Sequence, residues 1–439
     1  MTEATDTSDT EPQPTKRSTS FFYGWVIVGV AGTLGFLGTG FYSYSRGVFL
    51  PSLAEDLGNG SRFAIAMGFS AAGITSAIIA PYIGHLLDRY SPRRIILIGI
   101  GVVSSAYLLL SVTQTLWQYY LIVGVGMGVG MSCMGGLAWH RSVISWFDHW
   151  RGRAIALAVM GASLSGVMMP PLVTALVEAF GWRGGFLTFA VITGLSLLPL
   201  VYFLMKDRPE QIGEVRDGRS YVASHSEEVV EIVADSRVWH WREMLKSRAF
   251  WSIGLIFGSM SCVYSAVMLH LFGHLLDIGL STSYAAWILS ATALFAALGK
   301  PVVGWLSDAF GAKVTIWLAL STQCAALLLF SQAGDFRLSI TAACIYGLGY
   351  SGMSPLRTFS ISTAMGSVSF GAANGVLRII ELPLVISASP LAGFIYDATG
   401  SYRIAFLILA GLMAVACIGP FFIKAGGARE RRRMKLSRQ

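Results

Sequence analysis

Apolar segments long enough to cross a lipid bilayer follow one another along nearly the whole chain. A helix needs about 20 mainly apolar residues to span the hydrocarbon core. Twelve segments of the 439-residue sequence meet this requirement, in two groups of six separated by a polar stretch. We therefore predict an all-α membrane protein with twelve spans, numbered 1 to 12, at residues 22–46, 64–87, 94–113, 117–145, 152–180, 185–205, 249–276, 282–306, 314–333, 338–364, 370–396 and 403–424.

A short polar motif occurs once in each group of six. The sequence GHLLDRYSPRR at 84–94 is similar to GWLSDAFGAK at 304–313. The shift along the chain that carries residue 84 to residue 304, which we call the repeat offset, aligns the two copies and maps Asp88 onto Asp308. The same offset maps other positions of the first group onto the second: Pro170 onto Pro390, Arg183 onto Arg403 and Phe186 onto Phe406. Two equivalent halves in a membrane predict a central path between them that opens alternately to each side.

The composition agrees with a membrane protein and excludes several other classes. Hydrophobic residues make up 54% of the chain and charged residues only 13%, whereas a soluble protein has about a quarter charged residues. The five cysteines lie inside predicted spans at irregular spacing, which matches neither a disulfide framework nor a metal site. We expect no metal, no cofactor and no enzymatic activity.

Charge placement predicts the topology. The net charge is +8, but the basic residues gather at alternate loops and at the C-terminus, a bias typical of cytoplasmic loops rather than of nucleic-acid binding. We expect both termini in the cytoplasm. The predicted segments are a disordered tail at 1–20, a first half at 21–205, a cytoplasmic linker at 206–248, a second half at 249–424 and a basic tail at 425–439.

Ionisable residues inside spans are costly and usually functional. Predicted spans 3, 6, 9 and 12 hold none in their interiors, which indicates that every third helix faces lipid. The other spans contain one clear acid and a larger number of basic residues, which favours an anionic substrate. They are Arg46, His140, Arg141, His270, His274, Lys300, Arg357, Arg378 and Glu381.

Structural explanations compete for several of these residues. Arg141 and Arg357 lie near span ends, where snorkelling or a salt bridge would satisfy them. Arg378 and Glu381 are three residues apart on one helix and could neutralise each other, and Lys300 could pair with Asp308. We assign Lys300 and Arg378 to substrate binding.

Histidines and tyrosines supply the remaining candidates. His270 and His274 lie one turn apart, and without a visible third ligand we interpret them as cavity-lining or proton-handling groups rather than a metal site. Tyr346 and Tyr350 share one face of span 10, and Tyr42 and Tyr44 precede Arg46. These tyrosines serve either as packing or as a box around a small carboxylate.

The repeated loop resembles the signature of the major facilitator superfamily, and the resemblance covers nearly the whole chain after residue 20. Three further segments are similar to the monocarboxylate transporters and the related oxalate/formate antiporters. They are Tyr23-Gly24-Trp25 with YSYSR at 42–46, WFDHWRGRA at 146–154, and GKPVVG at 299–304.

The resemblance implies roles for individual residues. Arg46 stands where monocarboxylate carriers often place a lysine in span 1, and Lys300 where they place the substrate-binding arginine of span 8. Arg378 lies near the basic residue that oxalate carriers use, and Tyr346 and Tyr350 resemble cavity aromatics of that group. The acid expected one turn before the span-8 basic residue is Ala296 here. Proton coupling then requires another residue, with Glu381, His270, His274 and His140 as candidates, or a substrate that enters protonated.

These observations predict a monomeric secondary transporter in the inner membrane of a bacterium. It would carry a small organic anion, a monocarboxylate such as lactate or pyruvate, by proton symport. The alternatives are a dicarboxylate or oxalate exchanger, a multidrug/proton antiporter and a membrane sensor that does not transport. The predicted gating residues are those of the repeated loops and their basic neighbours, namely Gly84, Asp88, Arg89, Arg93, Arg151, Gly304 and Asp308.

Overall fold

The computed structural model describes residues 22–148, 150–218, 239–366 and 369–422, apart from the side chain of Asp88. The tails at 1–20 and 425–439 lie outside the described residues, as does the middle of the linker. The described residues form helices joined by turns, without strands. The fold class is therefore confirmed as all-α.

The first half contains six spans, and the fifth and sixth share one continuous helical stretch. Gly181 divides that stretch, because its φ of 67° breaks the helix in a region that glycine enters without steric cost. The helices are Gly24–Thr39, Gly40–Tyr44 and Arg46–Asp56 (span 1), Arg62–Arg89 (span 2), Pro92–Ser111 (span 3), Leu116–Leu121, Ile122–Met127, Gly128–Met134 and Gly136–Trp146 (span 4), Arg151–Ile192 (span 5 and the start of span 6), and Thr193–Leu197 and Leu198–Leu204 (rest of span 6).

The second half repeats this arrangement. Its helices are Arg248–Asp277 (span 7), Thr282–Phe310 (span 8), Ala312–Gln332 (span 9), Phe336–Tyr350 and Met353–Met365 (span 10), Phe370–Thr399 (span 11), and Arg403–Ala416 with Gly419–Phe422 (span 12). Short helices at Pro209–Ile212, Arg216–Gly218 and Trp241–Met244 flank the linker.

Length and apolarity alone identify ten membrane-spanning stretches among the described residues. One of them, Arg151–Leu204, contains two spans, and span 10 is missed because it is broken after Tyr350. The structure thus contains the twelve predicted spans. Span 1 runs ten residues beyond its predicted end, because the chain resumes a helix at Arg46 after a π-helical turn at Gly40–Tyr44.

Polar residues at the span boundaries begin several helices. The side chains of Ser61, Ser91, Ser281 and Asp335 each accept a hydrogen bond from the first turn of the following span. Such caps satisfy backbone N–H groups that have no partner within the helix. They fix where spans 2, 3, 8 and 10 start.

The two halves meet along three helix pairs. Span 2 packs against span 11, span 5 against span 8, and the segment Arg46–Asp56 of span 1 against span 7. Spans 3, 6, 9 and 12 take no part in these pairs, in agreement with their predicted place at the periphery. We call the end of the bundle nearest the linker the linker end, and the opposite end, where spans 1, 7 and 11 finish, the far end.

Proline and glycine bring span 11 close to span 2. Because Pro390 has no N–H, the carbonyl of Ile386 one turn earlier loses its helical partner, and it accepts a hydrogen bond from the Ser70 hydroxyl of span 2. At Gly393, a Cβ atom would lie 2.8 Å from the backbone of Phe63. Any larger residue there would push the two halves apart at the far end.

Candidate functional site

A row of tyrosines crosses the boundary between the halves. Tyr44 of span 1 lies next to Tyr264 of span 7. Tyr264 stacks on Tyr350 with ring centroids 4.5 Å apart, and Tyr350 lies parallel to Tyr346 at 6.3 Å. Three of the four predicted aromatic residues therefore belong to one cluster.

Arg46 lies beside this cluster without a carboxylate partner among the described residues. Its Nη2 donates to the carbonyl oxygen of Ser265 at 3.2 Å, its guanidinium lies 5.9 Å from the Phe69 ring, and its Nε makes no hydrogen bond in the described structure. The side chain borders a cavity of about 20 Å³ that is also lined by Tyr42 and Tyr107. That volume holds about one water molecule, so an anion would need the cavity to widen.

Lys300 reaches from span 8 to the other half. Its Nζ donates to the Ser163 hydroxyl of span 5 at 3.1 Å, and the residue is exposed in the linker-end half of its helix. The alternative pairing with Asp308 is not the contact it makes here. Arg378 of span 11 is exposed as well.

Glu381 and Arg357 form a salt bridge between spans 11 and 10. The Arg357 Nη1 to Glu381 Oε2 distance is 2.8 Å, and the two side chains are only 14% and 6% exposed. Arg357 Nε also donates to the Asn374 side chain at 3.2 Å. Of the explanations open for Arg357, the structure favours the salt bridge over snorkelling, and it joins Glu381 to Arg357 rather than to its helical neighbour Arg378.

The pair keeps unused hydrogen-bonding capacity. Glu381 Oε1 and Arg357 Nη2 are buried and make no hydrogen bond to any described residue. An arginine that holds one carboxylate oxygen through one nitrogen can still bind a second anion through the other.

The histidines are not gathered around Glu381. His270 and His274 lie in the far-end part of span 7, and His140 lies in the last helix of span 4. His270 is fully hydrogen-bonded, to the Tyr402 hydroxyl at 2.9 Å and to the Ser389 carbonyl at 2.8 Å. The described residues contain no cluster of three metal-ligating side chains.

The repeated loops lie at the linker end. A Cβ atom at Gly84 or Gly304 would meet open space, and Arg89, Arg151 and Asp308 are exposed. The backbone N–H of Arg93 donates to Asp207 at 3.1 Å, and its guanidinium lies 5.1 Å from the Tyr202 ring. The first loop is thus tied to the segment after span 6, within its own half.

Sequence reasoning missed Tyr264, Ser163 and Asn374 at the centre, and Arg62 and Tyr402 at the far end. The repeat contains a signal for the first, because the repeat offset maps Tyr44 onto Tyr264. These equivalent tyrosines meet at the boundary between the halves, as expected for a pair near a pseudo-two-fold axis.

Twelve spans in two equivalent halves that meet around a central polar cluster define a membrane transport protein. The sequence model described as Major Facilitator Superfamily matches residues 32–281 and 271–437. The chain belongs to this superfamily, and it is a multi-pass transporter of a small molecule rather than an enzyme.

Relatives and solved structures agree with this assignment. An uncharacterized MFS-type transporter of Bacillus subtilis, YcxA, is 25% identical, with 84% of this chain and 88% of the relative covered. Human monocarboxylate transporter 11 is also 25% identical, over 89% of this chain and 81% of the relative.

Two crystal structures share the fold at low identity. A bacterial homolog of the lysosomal transporter Spinster, in an inward-facing and unoccupied conformation, has a TM-score of 0.68 at 15% identity and covers 92% of this chain and 98% of its own. A point mutant of the nucleoside transporter NupG has a TM-score of 0.71 at 12% identity, over 92% of this chain and 100% of its own.

Proposed function

We propose that the protein is a secondary transporter of a small monocarboxylate, driven by proton symport. The two halves rock about the tyrosine cluster and expose the central site alternately to each side of the membrane. The similarity to relatives named as monocarboxylate transporters supports this choice of substrate.

The observation that carries the proposal is the charge balance at the centre. Glu381 is already held by Arg357, whereas the hydrogen bonds that Lys300 and Arg46 make to described residues go to neutral oxygens, those of Ser163 and Ser265. Cations kept inside a membrane without a counter-ion are costly. A carboxylate substrate supplies the missing negative charge.

Each group has a place in this scheme. Lys300 and Arg378 bind the carboxylate, and Arg46 attracts it from the far end. The rings of Tyr44, Tyr346 and Tyr350, with Tyr264, enclose the apolar body of a substrate with few carbon atoms. A site of this kind disfavours the cationic compounds that a multidrug antiporter handles.

The salt bridge offers a route for proton coupling. A proton on Glu381 neutralises the carboxylate and weakens its hold on Arg357. The arginine then has two nitrogens, Nη1 and Nη2, available to join Lys300 and Arg378 in holding the anion, so that proton and substrate bind together. This assigns coupling to Glu381 among the four candidates.

The same proposal places the linker end in the cytoplasm of a bacterium, with the protein monomeric in the inner membrane. The exposed basic residues Arg89, Arg151 and Arg153 lie at the linker ends of spans 2 and 5, as the positive-inside bias requires. The far end then faces the outside. The Gly84 and Gly304 loops act on the cytoplasmic side as gating elements.

Uptake into proteoliposomes tests the substrate and its site. Labelled lactate, pyruvate and oxalate are offered to the wild type with and without an inward proton gradient. We expect gradient-stimulated uptake of a monocarboxylate that falls at least about 10-fold in Lys300→Ala, since a central charged contact contributes about 1.5–3 kcal/mol. Lys246→Ala, which removes an exposed lysine of the linker region, is the matched control and should transport normally.

Other outcomes would separate the alternatives. Uptake only into vesicles preloaded with anion indicates an exchanger, and exchange of oxalate lost in both Lys300→Ala and Arg378→Ala indicates a dicarboxylate site. Binding without uptake indicates a sensor. If none of these acids binds or is transported by folded protein, the carboxylate assignment is wrong.

A second variant tests the coupling residue. Glu381→Gln imitates the protonated carboxyl, so we expect it to exchange anion across the membrane while gradient-driven accumulation is lost. His140→Gln is the comparison among the other candidates and should keep gradient-driven uptake. Accumulation that persists in Glu381→Gln would rule out Glu381 as the proton carrier.

A further inference from the structure

A network of charged and hydrogen-bonded side chains joins the two halves at the far end. Arg62, the first residue of span 2, makes two hydrogen bonds to Asp277 at the end of span 7, at 2.6 and 2.8 Å. Its Nη1 also donates to the Tyr402 hydroxyl at 3.0 Å. The guanidinium lies 3.8 Å from the centre of the Tyr396 ring. One arginine of the first half is therefore held by three side chains of the second.

The network continues inward to His270. The chemistry of the partners sets the direction of each hydrogen bond, since guanidinium groups only donate and carbonyl oxygens only accept. Arg62 donates to Tyr402, and the Nε2–H of His270 donates to the Ser389 carbonyl. The remaining contact, 2.9 Å between the Tyr402 hydroxyl and His270 Nδ1, is satisfied when the hydroxyl donates to an unprotonated Nδ1. The arrangement thus fits the neutral form of His270.

We propose that Arg62, Asp277, Tyr402 and His270 form a far-end latch that stays closed while His270 is neutral and opens when His270 binds a proton. A proton on Nδ1 faces the hydroxyl hydrogen of Tyr402 and displaces it from its acceptor. The imidazolium also places a second positive charge behind the hydroxyl that Arg62 contacts. Both changes weaken the contact between the halves.

The other charged groups around His270 do not remove this effect. Asp277 is already paired with Arg62. Asp397 of span 11 accepts hydrogen bonds from the Ser61 hydroxyl and from the N–H groups of Arg62 and Phe63, at 2.7, 2.9 and 3.1 Å. Its charge is therefore compensated at the start of span 2.

The two remaining neighbours do not favour a proton on His270 either. Arg46 adds positive charge from span 1. His274, one turn along span 7, faces the rings of Phe406 and Tyr402 and offers no negative charge.

Acid at the far end therefore favours the arrangement that is open to that side. His270 must release its proton before the latch closes again, so it acts as a gate that senses pH and not as the carrier that crosses the membrane. The inference concerns the gate alone and is independent of which solute is transported.

A cross-link between spans 5 and 8, which also join the two halves, reports closure of the far end without altering any residue of the latch. Thr282 at the start of span 8 donates a hydrogen bond to Glu178 near the end of span 5, so a short bifunctional thiol reagent can join Glu178→Cys to Thr282→Cys while the halves are closed. The pair is placed in full-length protein whose five native cysteines are replaced by alanine. No solute is added, so a failed uptake assay and a failed latch are distinguishable.

The cross-linked fraction is measured at about pH 8 and about pH 5.5, on either side of the usual range of histidine titration. Each value is divided by that of the same pair with His270→Gln, which cancels the pH dependence of the thiol chemistry. We expect this ratio to fall at least about threefold at the acidic pH. Arg62→Gln should reduce cross-linking at both pH values.

Two further variants test the latch even if the His270→Gln protein does not fold. Tyr402→Phe removes the hydroxyl that links His270 to Arg62, and it should abolish the pH response. His274→Gln is the matched control and should retain the response. A ratio that does not change with pH, a response that survives Tyr402→Phe, or a response lost in His274→Gln would each overturn the proposal.

Discussion

The two seams that close the far end are built on one plan. On one seam, Asp397 near the end of span 11 binds the start of span 2 through Ser61 and Arg62. On the other, Glu178 near the end of span 5 accepts a hydrogen bond from Thr282 at the start of span 8. The repeat offset maps Arg62 onto Thr282, and it maps Glu178 onto the position next to Asp397. Each half thus offers an acid to the first turn of a helix in the other half.

The seams differ in where they place the ion pair. In the first half, Asp56 is bound by Trp182 and Arg183 of the same half, at 2.8 and 3.0 Å. In the second half, Asp277, which is next to the position equivalent to Asp56, is bound by Arg62 of the other half. An acid at a neighbouring position of the repeat therefore makes a contact within its own half in one case and closes the protein across the halves in the other. The two halves of a repeated fold can therefore pack alike while their charged residues bind different partners.

Removing the acid from the latch should have the largest effect. The Arg62 and Asp277 side chains are 10% and 26% exposed, so Asp277→Asn leaves a mostly buried arginine without its counter-charge. We expect this change to destabilise the closed arrangement by about 3 kcal/mol. The measurement is the loss of the Glu178→Cys/Thr282→Cys cross-link at about pH 8, where histidine is neutral.

A double variant distinguishes a lost ion pair from damaged packing. Arg62→Leu with Asp277→Leu removes both charges, and replacement of a buried pair by apolar groups is often neutral in stability. Cross-linking should recover much of its wild-type level and lose its dependence on pH. If the double variant is as open as Asp277→Asn, the contact acts through shape rather than charge.

The equivalent change in the first half should be milder. The Arg183 and Asp56 side chains are 46% and 47% exposed, and exposed ion pairs contribute about 0.2–1 kcal/mol. Asp56→Asn should lower the free energy of unfolding by about 1 kcal/mol, including the hydrogen bond from Trp182, with cross-linking of the far end unchanged. A far end opened by Asp56→Asn would contradict the division of roles between the two acids.

The sequence predicted the positions of the membrane spans better than the contacts between their side chains. The spans are found within a few residues of their predicted places because apolar length is a local signal. Span 1 was the exception, since nothing local shows that the helix resumes at Arg46 after its π-helical turn.

Contacts between side chains of distant spans have no local signal. Arg357 and Glu381 are 24 residues apart and on different helices, so Arg378, three residues from Glu381, was an equally reasonable partner. The repeat does not help, because the positions equivalent to Lys300, Arg378 and Glu381 in the first half are Ala80, Ala158 and Gly161. Arg62 was missed because it lies at a span boundary, where a basic residue is ordinarily solvated.

The smallest effect is expected at the contact between spans 5 and 8, where the described residues form no ion pair between the halves. Thr282→Val removes the hydroxyl that Glu178 accepts from and keeps the side chain close in size, so the loss is that of one hydrogen bond, about 1 kcal/mol. Thermal unfolding of the purified protein measures it, and Thr322→Val, which removes a hydroxyl bonded within its own helix, is the matched control. The latch of Arg62, Asp277, Tyr402 and His270 remains intact in Thr282→Val, so the pH response of the far end should not change. That response must be followed with a cross-link that does not use position 282. A loss of stability as large as that of Asp277→Asn would mean that both seams stabilise the closed arrangement equally. The asymmetry inferred from their charges would then be wrong.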